Sequence, residues 1–417
     1  MFSLKAWIQI LGYPLKYIYT ILVFPFSGGT FPGKYQTSLR QTLKLLKYRA
    51  GLSLPITDAW ILSRSTSLEI IHGVARSHPH LTRNLNNFGK SYDDQSYWLV
   101  EAPHRGPHDP IIVYLHGGGF VHQTKPQQVE TVLAIYHLLD EAQGARTSIL
   151  HLDYKLACHG YTVPTQLYQL SDVYEKLTVR DGNSNIVLMG DSAGGVLAVS
   201  FLQYLKRHPP APSPSSSTPD GITWPAALVL ISPWMKIFAD AYQFQPGWSI
   251  YDNKDRDIVP YRPHTDTGRR RGILGDYLSA ADLLISPGNL KYNVRHWYDI
   301  PTLNQNSVFV ILGEHEVFVD DILEWCRVAL PGCDLKRPRA KNDAVFDQSI
   351  HEYRNEQGNG HLVDVVIEPW GVHVGSLFFE NVVSQRIKKD EFVQASDLDR
   401  DEFFGVVRIV EFLNRTL

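Results

Sequence analysis

From about residue 97 onward, short runs of β-branched and aliphatic residues alternate with stretches of helical periodicity. That order predicts a mostly parallel central sheet with helices on both faces, an α/β architecture. The strands fall at Tyr97–Ala102, Ile111–His116, Ser148–Asp153, Asn185–Gly190, Ala226–Ser232, Ser307–Gly313 and Val363–Glu368. Runs such as Ile111-Ile112-Val113-Tyr114-Leu115 are apolar at every position, the pattern of strands covered on both faces, and so belong in the middle of the sheet.

Three stretches interrupt this rhythm. His208–Asp220 is rich in proline and serine, holds neither helix nor strand, and reads as a mobile surface loop. Met235–Pro301 lies between two core strands and is far longer than an ordinary connection, with Phe238, Tyr242, Phe244, Trp248, Tyr251 and Tyr261 along it. Long connections of this kind are usually functional. With the N-terminal region to about residue 90, it is expected to cap a site above the sheet. Lys341–Asn359 is a second, polar insertion before the last strand.

The N-terminus departs from the rest, because Ala6–Phe26 is almost wholly apolar and long enough to cross a bilayer core of about 30 Å as a helix. Lys16 and Pro14 interrupt it, and a lysine at mid-membrane costs about 3 kcal/mol on insertion scales. Residues 1–27 are therefore expected to be an uncleaved anchor or an interfacial segment, since no small-residue cleavage site follows, with a buried cap helix as the alternative. Residues 28–417 would form one domain, with cap contributions from about 28–90 and 235–300. Lys34, Arg40 and Lys44 after the segment favour a cytosolic body, and Lys5 before it leaves the orientation open.

Composition narrows the function classes. With 44% hydrophobic and 20% charged residues, the 417-residue chain can bury a large core, and a formal net charge of −3 offers no field attractive to nucleic acid. The basic run Arg269-Arg270-Arg271 reads as a solvated loop. Cys158, Cys326 and Cys333 form no disulfide framework and no metal-ligand spacing, although Cys326 and Cys333 can pair. Asn414-Arg415-Thr416 is a glycosylation sequon only if the C-terminus enters a secretory lumen.

Chemistry enters at Gly190-Asp191-Ser192-Ala193-Gly194-Gly195, which follows a strand and opens a helix. A G-x-S-x-G turn in that context lifts a serine above the sheet, and the turn is tight enough to demand small neighbours. A helix-capping serine is the alternative. Against it stands His116-Gly117-Gly118-Gly119-Phe120 after an upstream strand. Glycines there allow backbone N–H groups to approach an oxyanion to about 3 Å. His373, in Trp370-Gly371-Val372-His373, is the histidine just past the final strand and the candidate base. His361 and His315 are weaker candidates, and His116 is expected to brace the oxyanion loop.

The glycine loop, Asp153-Tyr154-Lys155-Leu156-Ala157 and the serine motif together resemble the hormone-sensitive-lipase branch of the α/β hydrolases. The resemblance implies an acid in a Gly-x-x-Asp segment after the next-to-last strand. Here Gly313-Glu314-His315-Glu316 puts Glu316 in that position, with Asp320 and Glu314 as fallback acids. The implied site is catalytic Ser192, Glu316 and His373 with an oxyanion hole of Gly118, Gly119 and Ala193, working without metal or organic cofactor. Ser232-Pro233-Trp234, the acid segment and the apolar N-terminus extend the resemblance to the fungal steryl acetyl hydrolase family. That family implies deacetylation of sterol acetates at the endoplasmic reticulum membrane, with a catalytic domain on the lumenal side. A general carboxylesterase or arylacetamide deacetylase, or a non-catalytic receptor on the same fold, are the competing readings.

Overall fold

The computed structural model describes residues 2–27, 33–208, 223–261, 267–275, 279–338, 344–356 and 361–417. Nine strands form one sheet: β1 Ser91–Asp93, β2 Ser96–Val100, β3 Ile111–Leu115, β4 Ser148–Leu152, β5 Ile186–Asp191, β6 Ala227–Ile231, β7 Ser307–Gly313, β8 Glu352–Glu356 and β9 Leu362–Glu368. Their order is β1-β2-β4-β3-β5-β6-β7-β9-β8. The six strands from β4 to β9 in that order run parallel, and β1, β2 and β8 add antiparallel edges. This is the α/β-hydrolase arrangement expected from the sequence.

All seven expected strands form, with ends shifted by at most two residues. Two edge strands went unread, each for a physical reason. β1 is three residues of Ser-Tyr-Asp with no apolar run. β8 is Glu-Tyr-Arg-Asn-Glu, polar or charged at every position but Tyr353 and with no residue wholly buried, so only its pairing with β9, Tyr353 opposite Val365, makes it a strand. It lies inside the stretch expected to be a polar insertion.

Helices cover both faces. In chain order they include α1 Leu4–Ser27, α2 Leu39–Ser53, α3 Pro126–His137, α4 Thr165–Glu175, α5 Ala193–Arg207, α6 Thr267–Leu274, α7 Val319–Ala329 and α8 Phe404–Thr416. Successive β5 side chains point to opposite faces, which gives the sheet its two cores. Ile186 and Leu188 pack with Leu170 of α4, Phe201 of α5 and Trp325 of α7. Val187 and Met189 pack with Val132 of α3 and Val407 of α8.

The N-terminal region folds against this body. Tyr17 of α1 donates to the Leu43 carbonyl of α2 at 3.1 Å, and Ser3 binds the Asp58 carboxylate through both its N–H and its hydroxyl at 2.7 Å. Lys34 then reaches Glu368, the last residue of β9, at 2.6 Å. The outer side of α1 leaves Leu4, Ile8, Leu11, Leu15 and Leu22 exposed. Among the described residues no helix is long and apolar enough to cross a membrane, because lysines, tyrosines and polar residues dilute α1. The bilayer-crossing version of the anchor expectation is thereby set aside.

One further expectation changes, and the pairing left open for Cys326 and Cys333 is absent. Arg269–Arg271 lie in helix α6 rather than in a loop, and the Arg269 guanidinium sits 5.5 Å over the Trp234 ring. Cys326 and Cys333 are buried free thiols. Most of the expected mobile loop (209–220), together with 341–343 and 357–359 of the second insertion, lies outside the described residues.

Candidate active site

β5 ends at Asp191, α5 starts at Ala193, and Ser192 alone makes the turn with φ 50° and ψ −112°. A side chain in that region is strained, at about 1–3 kcal/mol, and persists only where the surroundings hold it. They do so here from both sides: the Ser192 N–H donates to the Ile231 carbonyl and its carbonyl accepts from Trp234, each at 2.9 Å. A Cβ on Gly194 would stand 1.9 Å from the Leu115 carbonyl oxygen, so the first turn of α5 can lie against β3 only as glycine.

The glycine loop follows β3 on the neighbouring strand. Gly118 has φ +117°, and a Cβ there would lie 2.5 Å from the His122 carbonyl oxygen. Asp191 fastens this loop to the turn: its carboxylate accepts the Gly117 N–H at 2.9 Å, the Tyr114 hydroxyl at 2.7 Å and the Gln128 amide at 2.9 Å. Burial pushes the Asp191 carboxyl up to about 6. His116 stacks on Tyr154 at 4.2 Å, and its Nδ1 lies 2.7 Å from the Gly117 carbonyl. Burial holds its imidazole down at about 4, so it is a neutral brace, as expected.

Three sequence-distant side chains converge above β5, β7 and β9. His373 Nε2 lies 2.9 Å from Ser192 Oγ, and His373 Nδ1 lies 3.3 Å from Glu316 Oε2. All three are buried. Burial pushes the Glu316 carboxyl up to about 8, opposed by the nearby Ser232 hydroxyl, and pushes the His373 imidazole down. Asp257 and Asp191 raise the imidazole in part.

The other candidates are engaged elsewhere. Asp320 accepts the Ser249 N–H at 2.5 Å and faces Arg337, and Glu314 accepts the Trp370 N–H at 3.0 Å. His315 stacks on Trp370. His361 precedes β9, at the opposite end of the strand from His373.

Ser192 and His373 open into a cavity of about 610 Å³ that also touches Gly118 and Gly119. Its walls include Ile10 and Tyr13 of α1, Tyr48 of α2, Phe238 and Ile258 of the long insertion, and Phe378. Both regions expected to cap the site thus line it.

Comparison with known proteins adds the family. The steryl acetyl hydrolase family matches residues 40–352, three quarters of the chain. The chain belongs to the steryl acetyl hydrolase family. It is a serine carboxylic-ester hydrolase. The matched stretch contains Ser192 and Glu316 and ends before His373. A proposed steryl acetyl hydrolase of Schizosaccharomyces pombe, mug81, is 28% identical over 340 residues, covering 78% of this chain and 84% of its own. Steryl acetyl hydrolase 1 of Saccharomyces cerevisiae is 27% identical over 256 residues, covering 58% of this chain and 54% of its own. Among solved structures, an esterase from the bacterial hormone-sensitive lipase family superposes with a TM-score of 0.48 at 20% identity, covering 89% of this chain and 98% of its own.

The sequence reading missed three residues that support the site. Asp191 sits in the serine motif itself, where only its neighbours drew notice. Asn253 and Asp257 lie in the long insertion, and no spacing or motif singles them out.

Proposed function

We propose that Ser192 is the nucleophile, His373 the general base and Glu316 the acid, and that the N–H groups of Gly118, Gly119 and Ala193 receive the oxyanion. The observation that carries this reading is the 2.9 Å contact between His373 Nε2 and Ser192 Oγ at the floor of the cavity. His373 takes the hydroxyl proton as Oγ attacks the ester carbonyl. Glu316 holds the neutral imidazole in the tautomer that leaves Nε2 free to accept, and stabilises the positive charge that then develops on the ring. Collapse of the tetrahedral intermediate expels the alcohol, which leaves with the proton from His373. Water, activated by the same imidazole, then releases the acid and restores Ser192.

The substrate proposed is an acetylated sterol. The support is family membership together with a cavity whose walls are largely apolar and large enough for a polycyclic alcohol. We further assign the protein to the endoplasmic reticulum membrane, with α1 lying in the interface, its exposed leucines and Ile8 toward lipid. The organelle follows from the family resemblance alone.

Hydrolysis of a sterol acetate, measured beside acetyl and longer acyl esters of simple alcohols, tests the substrate. A clear kcat/KM preference for the sterol acetate supports it. Equal or better turnover of the simple esters makes the protein a general carboxylesterase. Deleting residues 2–27 tests the membrane contact: co-sedimentation with phospholipid vesicles should be lost, and unchanged binding would remove α1 from that role.

A further inference from the structure

The long insertion does more than line the cavity. Between Asn253 and Asp257 it sends three side chains beneath the loops that follow β7 and β9. Asn253 donates its side-chain amide to the carbonyls of Glu314 at 3.1 Å and of Glu316 at 2.9 Å. Arg256 lies 3.2 Å from the His315 ring, which stacks on Trp370 of the histidine loop.

Asp257 goes deepest and is fully buried. Its Oδ1 accepts the His373 N–H at 2.9 Å and the Ile258 N–H at 2.7 Å, and its Oδ2 accepts the Val317 N–H at 2.9 Å. One carboxylate therefore holds the residue after Glu316 and the backbone of His373 itself. A buried carboxylate is costly unless its oxygens are satisfied, and here three backbone donors satisfy them.

We propose that Asp257 is a positioning residue for ester hydrolysis, locking the loops of Glu316 and His373 together and placing a negative charge beside the imidazole. The inference rests on the Ser192, His373 and Glu316 reading given above. It also ties the cavity to the chemistry, because Ile258, the next residue, lines the cavity wall.

The charged and titratable groups around this point are Glu316 and His373 on their loops, Asp191 before Ser192, Glu368 of β9 acting on Glu316, and Arg256 with His315 on the outer side. Burial raises the Asp257 carboxyl to about 6, and the Glu316 charge raises it in the same sense, while His373 opposes them. Removing the Asp257 charge takes a negative neighbour away from both His373 and Glu316. A negative neighbour raises the pKa of either group, so both then titrate at lower pH.

The experiment is the pH dependence of kcat and KM for a short 4-nitrophenyl ester with wild type, Asp257→Asn, Asp257→Glu and Ser192→Ala. Thermal melting establishes that each variant is folded. Asp257→Asn should lower kcat about 10–100-fold through misplacement of the imidazole, leave KM unchanged, and move the acid limb of kcat/KM to lower pH. Asp257→Glu keeps the charge and should lower kcat with the limb in place. Wild-type kcat in Asp257→Asn, a lowered kcat with an unmoved limb, or equal limb shifts in both variants would overturn the proposal. Where Asp257→Asn does not fold, Asp257→Ser, smaller and able to accept one N–H bond, is read by the same criteria. Activity surviving Ser192→Ala removes the underlying reading; loss of activity there beside a wild-type Asp257→Asn removes this inference alone.

Discussion

The carboxylate of Asp191 accepts the backbone N–H of Gly117 at 2.9 Å, across 74 residues of chain. The residue before the serine thus fixes the loop whose glycines face the same cavity. Asp191→Ala leaves the Gly117 N–H, the Tyr114 hydroxyl and the Gln128 amide without their common acceptor. Stability is expected to drop by at least about 1–3 kcal/mol, the cost of a single buried group left unpaired. A fall in kcat larger than that in a distant variant of equal melting temperature would show that the glycine loop has moved.

Gly118→Ala tests the loop directly. Its φ of +117° disfavours any side chain, and the added Cβ would press on the His122 carbonyl oxygen. A rate loss of about 10²–10³, the usual effect of losing one oxyanion donor, is expected with protein that still binds substrate. Wild-type turnover would take the loop out of the reaction.

Ser192→Gly separates activity from stability. The substitution removes the nucleophile and relieves a backbone conformation that only glycine adopts freely. Turnover is expected to vanish, while unfolding free energy rises by about 1 kcal/mol. Calorimetry and an ester assay on the same preparation read both.

The acid is decided by comparing two substitutions. Glu316→Gln should lower kcat on the order of 10³–10⁴-fold, whereas Asp320→Asn, whose carboxylate faces Ser249 and Arg337, should change it little. The reverse order moves the acid to Asp320.

Activity and stability should run in opposite directions with pH. An exposed glutamate titrates near 4.5, and burial keeps the Glu316 proton on up to about 8. The folded state therefore binds more protons between those values, and this stabilisation is full below about 4.5 and lost as pH rises through about 8. Catalysis needs the ionised form, so kcat/KM should climb over the range in which the melting temperature falls. The macroscopic limb belongs to the Glu316 and His373 pair. Glu316→Gln, which has no proton to lose, should flatten the decline in melting temperature; an unchanged slope would place the effect on other buried carboxyls.

The amino-acid sequence by itself determined the central strands, the serine turn and the glycine loop. Each is a local constraint: apolar runs need cover on both faces, and a turn packed against a strand admits only glycine at Gly194. It also placed His373, because a residue just past the last strand must emerge at the same sheet edge as one just past β5. Tertiary structure alone decided the rest. β8 is charged and half-exposed, and becomes a strand only because β9 offers an edge. Arg269 looked like solvent and instead lies over Trp234. Asp257 reaches His373 across 116 residues through an insertion without a motif. Its place under the imidazole depends on how that insertion packs, and local sequence does not record packing between distant segments.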